Sequence, residues 1–286
     1  MNASTKRLLI VGCGDIGGGL AARYLAKGWH VQGMRRDGSK LPTGVEGLSA
    51  DLAQPSSIRA LGPLQADYIV MTLTPNGYNP EGYRKIFEEA LAVILESIVE
   101  PPKLLLFVSS SGVYDQSGHE WVDEDSPTAP SRFSGQSILR AEQQIADTGW
   151  PHSIVRFAGI YGPGRLQMIA KVKAGECVPD EPLHYSNRIH RDDCVGVLAH
   201  LIDKVDGGES VASCYLGVDD LPVAIQTVQR WLAEQLDVPY RQNGAPISRT
   251  GSKRCSNRRL RDSGYEFLHP NYRSGFVQVL SDARSA

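Results

Sequence analysis

The run Gly12-Cys13-Gly14-Asp15-Ile16-Gly17 puts glycines at its first, third and sixth places, where the apolar run RLLIVG (7–12) ends and a helical pattern begins. A strand that turns sharply into a helix in this way makes an anion site. Gly12 allows the tight turn, Gly14 lets backbone approach a pyrophosphate, and Gly17 lets the helix pack close to the strand. Asp15 and Ile16 complete the first turn of that helix, whose free N–H groups and positive dipole end favour phosphate. Gly12, Gly14, Asp15, Ile16 and Gly17 are therefore expected to hold a dinucleotide.

Which dinucleotide depends on the end of the second strand. An acidic residue about 20 positions past the glycines reads a ribose 2′-hydroxyl. Here the place holds Met34-Arg35-Arg36, with Asp37 one step later. A guanidinium pairs with a 2′-phosphate through charge-assisted hydrogen bonds of about 1.5–3 kcal/mol each, so Arg35 and Arg36 favour NADP. Asp37 leaves NAD open. Further along, Asp51 and Leu52 follow the third strand and are expected to border the adenine. Thr72 and Thr74 end the next strand, where the middle of the cofactor would lie, because ligands in such sheets line the carboxyl ends of strands.

These residues need a scaffold. From residue 7 to about 160 short apolar runs alternate with helical patterns: strands at 7–12, 30–36, 67–73, 103–110 and 152–157, with helices at 16–27, 83–99 and 131–145. This alternation predicts an α/β fold, a doubly wound Rossmann parallel sheet. Ser131 or Ser134 is expected to cap the helix at 131–145, whose buried face would include Ile138, Ala141 and Ile145. After residue 160 the pattern loosens into short helices, a strand at 213–218 and a basic, polar end. The expected division is a nucleotide domain over 1–160 and a smaller substrate lobe over 161–286, with about 188–215 packing back on the sheet.

Composition excludes several function classes. Of 286 residues 41% are hydrophobic and 22% charged, and the formal net charge is −2, so there is no field suited to nucleic acid or a membrane surface. The five cysteines are widely spaced without a C-x-x-C, which argues against a metal or a disulfide framework and for a reducing compartment. The opening apolar run is too short for a signal peptide or a span. A cytoplasmic protein with a small-molecule substrate or effector is expected, with no nucleic acid, membrane or metal.

IVGCGDIG (10–17), FVSSSGVY (107–114), WVDEDSPTAP (121–130), RFAGIYGPGR (156–165) and NRIHRDD (187–193) together resemble the extended short-chain dehydrogenase/reductase family of NAD-dependent epimerases and dehydratases. The resemblance spans most of the chain. It implies a reaction centre made of a serine or threonine, then Y-x-x-x-K on the next helix. It assigns Ser110 to the catalytic hydroxyl and Ser109 to the cofactor side. Aligning Ala141-Glu142 with the family's A-E puts Ser134 at the tyrosine and Ile138 at the lysine, so both titratable groups are missing. That combination resembles the atypical branch of the family. Its members often pair through the helices corresponding to 83–99 and 131–147, which implies a possible homodimer.

A proton carrier must then come from elsewhere. Tyr161 lies in the turn that the family places against the nicotinamide, Tyr114 follows the serine strand, and the imidazole of His190 titrates in the useful range. Each has a plainer role open to it: cleft wall, packing, and the start of the next helix. Asp123, Glu124 and Asp125 read as a solvated loop. Lys253–Asp262 reads either as a basic surface face or as an anion grip through its arginines. Two functions remain: an epimerase-like or reductase-like enzyme, and a non-catalytic NADP-binding sensor or scaffold.

Overall fold

Seven short apolar runs become one parallel sheet in the computed structural model, which describes residues 5–243 and 251–285. The strands are β1 (Arg7–Val11), β2 (His30–Arg35), β3 (Glu46–Ser49), β4 (Tyr68–Met71), β5 (Leu104–Ser110), β6 (His152–Phe157) and β7 (Cys214–Gly217). Their order is β7-β6-β5-β4-β1-β2-β3. β1 lies between β2 and β4, with Leu8 opposite Val31 on one side and Tyr68 on the other. Leu8, Leu9, Ile10 and Val11 are fully buried, as a strand covered on both faces requires. The strand order reverses between β1 and β4, and such reversals open a crevice at the carboxyl ends.

Helices follow the strands. Asp15–Ala26 buries Ile16, Leu20, Ala21 and Tyr24 against the sheet. The helical stretch expected at 83–99 runs instead from Pro80 to Ser97. It begins where Asn79 Oδ1 accepts the Gly82 N–H at 2.8 Å, and it carries a π-helical turn over Lys85–Ala90. Phe133–Asp147 buries Gly135, Ile138, Ala141 and Ile145. Arg132, and neither serine, is the N-cap residue, and its side chain accepts no bond there. Ser134 falls inside the first turn, beyond the place from which a side chain can cap.

Two compact units divide the chain. Met1–Val113, Ala129–Arg156 and Val195–Tyr215 form the first, and Tyr114–Thr128, Phe157–Cys194 and Leu216–Ala286 the second. The chain passes from one unit to the other at Arg156–Phe157, where the expectation was 160; Tyr114–Thr128 goes to the second unit, and Val195–Tyr215 lies within the stretch of about 188–215 expected to pack back on the sheet. Val195–Tyr215 joins the first unit because it is anchored there: Asp203 Oδ1 lies 2.9 Å from the Tyr24 hydroxyl and 2.6 Å from Lys27 Nζ. Within the first unit, Glu142 and Arg156 form a buried ion pair at 2.6 Å, and Ser109 Oγ donates to Glu142 at 2.5 Å.

The second unit is built from short pieces. Gly159–Tyr161 pairs in parallel with Arg188–His190, Tyr185–Ser186 antiparallel with Val223–Ala224, and Trp121–Val122 in parallel with Arg254–Cys255. Helices Gln167–Lys173, Ile225–Gln235 and Tyr272–Ser285 enclose a core that includes Tyr161, Val172, Leu232, Tyr272 and Phe276. The C-terminal helix lies in the stretch whose sequence shows only a basic, polar pattern; Tyr272, Phe276, Val279 and Leu280 are its buried face.

Candidate functional site

The first unit opens a cleft of about 610 Å³ at the carboxyl ends of β1, β2 and β4. Gly12, Gly14, Arg35, Arg36, Thr72 and Thr74 line it, together with Asp51 and Leu52. Eight of the expected cofactor residues thus meet in one place. The other four do not line it. Asp15 is exposed on the helix, Ile16 and Gly17 are buried, and the Ser109 hydroxyl is spent on Glu142.

The three glycines have three different reasons. Gly12 has φ +83°, and a Cβ there would stand 2.5 Å from the Thr72 carbonyl oxygen. Thr72 Oγ1 in turn donates to Gly12 O at 2.6 Å, which locks the turn to β4. A Cβ on Gly17 would meet Ile10 Cγ2 at 2.9 Å, so that glycine serves helix–strand packing. At Gly14 nothing but Gly12 O comes within 4 Å, at 3.8 Å. The protein does not need Gly14 for its own packing. The bare backbone faces the cleft, and its absent side chain is the space a pyrophosphate would take. This is the observation by which the cleft fits a dinucleotide.

Where β2 ends in the cleft, Arg35 is held by its Nη1 donating to Lys40 O at 2.9 Å. Arg36 is exposed, and among the described residues no side chain bonds its guanidinium. Lys40 also lines the cleft, a third cation that sequence spacing did not single out. Asp37 is turned to local work: Oδ1 accepts from Ser39 N at 3.1 Å and Ser39 Oγ at 2.6 Å, which holds its carboxyl below the usual range.

The end of β5 and the start of helix Phe133–Asp147 abut. A Cβ on Gly135 would lie 2.6 Å from Gly112 O, so only glycine lets the helix sit so near the loop after Ser110. Ser110 Oγ accepts the Gly112 N–H at 3.0 Å. Ser134 is half-buried, and its Oγ lies 3.2 Å from the hydroxyl of Tyr78. Tyr78 belongs to the loop after β4, is 44% exposed, and packs near Phe133 and Tyr83 at 4.9 and 5.7 Å between ring centroids. A phenol is thus present beside Ser134, delivered by another element. No spacing rule links position 78 to 134, so nothing in the sequence pointed to it.

The remaining candidates belong to the second unit. Tyr161 is 6% exposed, packs on Phe276 at 4.5 Å, and its hydroxyl donates to Asn271 O at 3.5 Å. Burial raises its pKa. Tyr114 is buried. His190 is fully buried; Nδ1 accepts the Asp192 N–H at 3.2 Å, and burial with His269 beside it pushes its pKa down to about 4. Asp193 accepts from Tyr265, Leu268 N and His269 N at 2.9, 2.7 and 3.0 Å, so the HRDD element organises its surroundings. His190, Asp192 and His269 bring one ligand atom each within 4.8 Å, but Asp192 Oδ1 already binds Arg191 at 2.8 Å. In the acidic loop Asp123 bonds Ser126, Glu124 accepts the Leu216 N–H at 2.7 Å, and Asp125 pairs with Arg259 at 2.6 Å.

Sequence reading also missed Arg188 and Asp219, both buried in the second unit. Burial pushes the Asp219 carboxyl up to about 7, against the pull of Arg188. An acid whose native pKa exceeds its unfolded value (about 3.9) holds its proton longer in the fold. Its contribution to stability therefore falls as pH rises from about 4 to about 7. His190 acts in the opposite sense between about 4 and 6.5, because the fold keeps it neutral. Asp219→Asn removes only the first effect. Its stability in urea should climb more steeply with pH across that window than the wild type's; parallel profiles would show that Asp219 titrates normally.

A sequence model described as the NAD dependent epimerase/dehydratase family matches residues 8–213. Protein YeeZ of Escherichia coli (strain K12) is 28% identical over 283 residues, covering 93% of this chain and 97% of its own. Among solved structures, a Methylobacillus flagellatus protein provisionally named a NAD-dependent epimerase/dehydratase is similar at 35% identity and a TM-score of 0.79, over 98% of this chain and 100% of its own. A UDP-glucose 4-epimerase of Thermus thermophilus, solved with NAD, shares the fold at 17% identity and a TM-score of 0.79, with 98% and 99% of the two chains covered.

Proposed function

Because the chain belongs to the NAD-dependent epimerase/dehydratase family, we propose that it is an NADP-dependent epimerase-like or reductase-like enzyme of the cytoplasm, acting on a small or sugar-nucleotide-like substrate. The observation that carries the reading is the cleft of the first unit, lined by the bare backbone of Gly14 and by Arg35, Arg36 and Lys40. Gly12 and Gly14 would take the pyrophosphate, Asp51 and Leu52 the adenine, and the three cations a 2′-phosphate. A nicotinamide held there supplies hydride transfer. Everything else the reaction needs must come from side chains.

Making or breaking a C–O–H bond needs a proton carrier, and on this reading it is Tyr78. Its hydroxyl stands beside Ser134, on the helix that abuts the end of β5, where Ser110 can orient a substrate oxygen. Ser134 holds the phenol by a hydrogen bond, and Phe133 and Tyr83 hold the ring. Tyr78→Phe keeps the ring and removes the proton.

The test is NADPH oxidation followed by stopped flow against aldehydes, ketones and nucleotide sugars. Tyr78→Phe should lower kcat by roughly 10²–10⁴-fold, the usual worth of a general acid, and leave NADPH affinity within about twofold. Unchanged turnover would remove Tyr78 from the chemistry. Tight NADPH binding with no turnover on any substrate would favour the sensor or scaffold reading, to which the missing Y-x-x-x-K points.

A further inference from the structure

His190, Arg191, Asp192 and Asp193 stand where strand Arg188–His190 passes into helix Arg191–Asp206, and the loop 265–270 is fastened to them. Asp193 is the clamp. It is fully buried and accepts from the Tyr265 hydroxyl, Leu268 N and His269 N at 2.9, 2.7 and 3.0 Å. On the other side of His269, Pro270 O accepts the Asp220 N–H at 2.9 Å. Backbone fixed at both sides carries the His269 ring onto that of His190, with 4.0 Å between centroids and 50° between planes.

The nitrogens of these rings are largely uncommitted. His269 Nδ1 and His190 Nε2 are buried with no hydrogen-bond partner among the described residues. His190 Nδ1 accepts the Asp192 N–H at 3.2 Å, longer than the usual value of about 2.9–3.0 Å. A carboxylate completes the group. Asp192 Oδ2 lies 3.7 Å from His190 Nδ1, and one ligand atom each of His190, Asp192 and His269 lies within 4.8 Å of the other two. Arg191 aims the carboxylate: its Nε and Nη2 both donate to Oδ1, at 3.0 and 2.8 Å, and Oδ2 is the oxygen that faces the ring. His190 is fully buried, while Asp192 and His269 are half-buried, so an ion can enter from their side.

Buried polar atoms without a partner cost stability, and here three electron-pair donors converge. Two imidazole nitrogens and a carboxylate oxygen suit a transition-metal ion; magnesium and calcium take oxygen sets instead. We propose that His190, Asp192 and His269 bind one divalent transition-metal ion of the zinc kind. A metal about 2.0–2.2 Å from each atom needs them roughly 3–3.5 Å apart, so filling the site draws the half-buried side chains inward by up to about an ångström. Arg191 and Asp193 position the ligands, and a fourth place stays open to water or a ligand oxygen. The wide spacing of the cysteines argues against a metal held by thiolates, and this set contains none. The binding rests on neither the cofactor nor the reaction proposed above.

The full chain, without a histidine tag and stripped of metal by a chelator that is then removed, is titrated with Co²⁺ by visible absorption and with Zn²⁺ by calorimetry. One ion per chain should bind, with no thiolate charge-transfer band, and Zn²⁺ should displace the cobalt. Asp192→Asn and His269→Gln nearly keep the side-chain sizes, and each should weaken binding at least tenfold. The rise in melting temperature that Zn²⁺ gives the wild type should shrink with it. X-ray absorption at the zinc edge of the loaded wild type needs no variant: it should show imidazole and oxygen neighbours and no sulfur. No binding, a sulfur neighbour, no imidazole neighbour, or affinities within twofold of the wild type in both variants overturns the site.

Discussion

A Gly14→Val chain folds normally and binds neither NADPH nor NADH. The expectation follows from what surrounds each glycine. A Cβ at Gly14 meets no atom of the protein nearer than Gly12 O at 3.8 Å, so the fold itself has room for a side chain there. The valine instead fills the space at the start of helix Asp15–Ala26 where backbone would approach a pyrophosphate. Losing two charge-assisted bonds of about 2 kcal/mol each weakens either dinucleotide roughly a thousandfold. Nicotinamide fluorescence measures the loss, and far-UV circular dichroism with a thermal melt checks the fold. Gly17→Val is the contrasting control. Its Cβ would stand 2.9 Å from Ile10 Cγ2, so it damages packing and melts early. If Gly14→Val kept its affinity, the glycine turn would be structural only.

Replacing Arg35 and Arg36 together by alanine weakens NADPH by roughly 10–100-fold for each bond lost to the 2′-phosphate, and NADH by much less. Both residues line the cleft beside Lys40, while Asp37 is occupied by Ser39 and Lys40. Arg36→Ala alone isolates the phosphate effect, because its side chain bonds no other described side chain, whereas Arg35 also steadies Lys40 O at 2.9 Å. The preference should shrink with added salt, since these cations are exposed or half-exposed. Equal weakening of both cofactors would mean that the pair does not read the 2′-phosphate, and NAD would become the cofactor.

The parts of the fold legible beforehand were those written in local pattern. Arg7–Val11, Tyr68–Met71 and Leu104–Ser110 are runs of apolar residues bounded by turn formers, and each became a buried strand. The turn from Val11 into helix Asp15–Ala26 needs a left-handed residue at 12, and glycine supplies it. β3 (Glu46–Ser49) was harder to see as a strand in its own right, because it is an edge strand with mostly exposed side chains. The C-terminal helix Tyr272–Ser285 was missed because polar residues interrupt its apolar face.

Side chains proved less legible than strands. Ser109 and Ser110 are neighbours in sequence, yet one is drawn inward to Glu142 and the other bonds the Gly112 N–H. Strand alternation says that they face opposite ways, but not which partner waits on each side. In Lys253–Asp262, four arginines and a lysine look alike in sequence. The acids that answer Arg259 and Arg261 come from residues 125 and 220.

By itself, then, the sequence determined the doubly wound sheet, the glycine turn and the cation-rich end of the second strand. The turn and the cations lie within about twenty positions of one another, and each strand is a local run, so periodicity, turn chemistry and helix dipoles suffice. Tertiary structure alone decided that a cavity faces Gly14, that Asp37 in its wall is held by Ser39, and that Tyr78 stands 3.2 Å from Ser134. Most of these are meetings between segments far apart in the chain. They are set by how the packed elements close on one another, and no local preference encodes that distance.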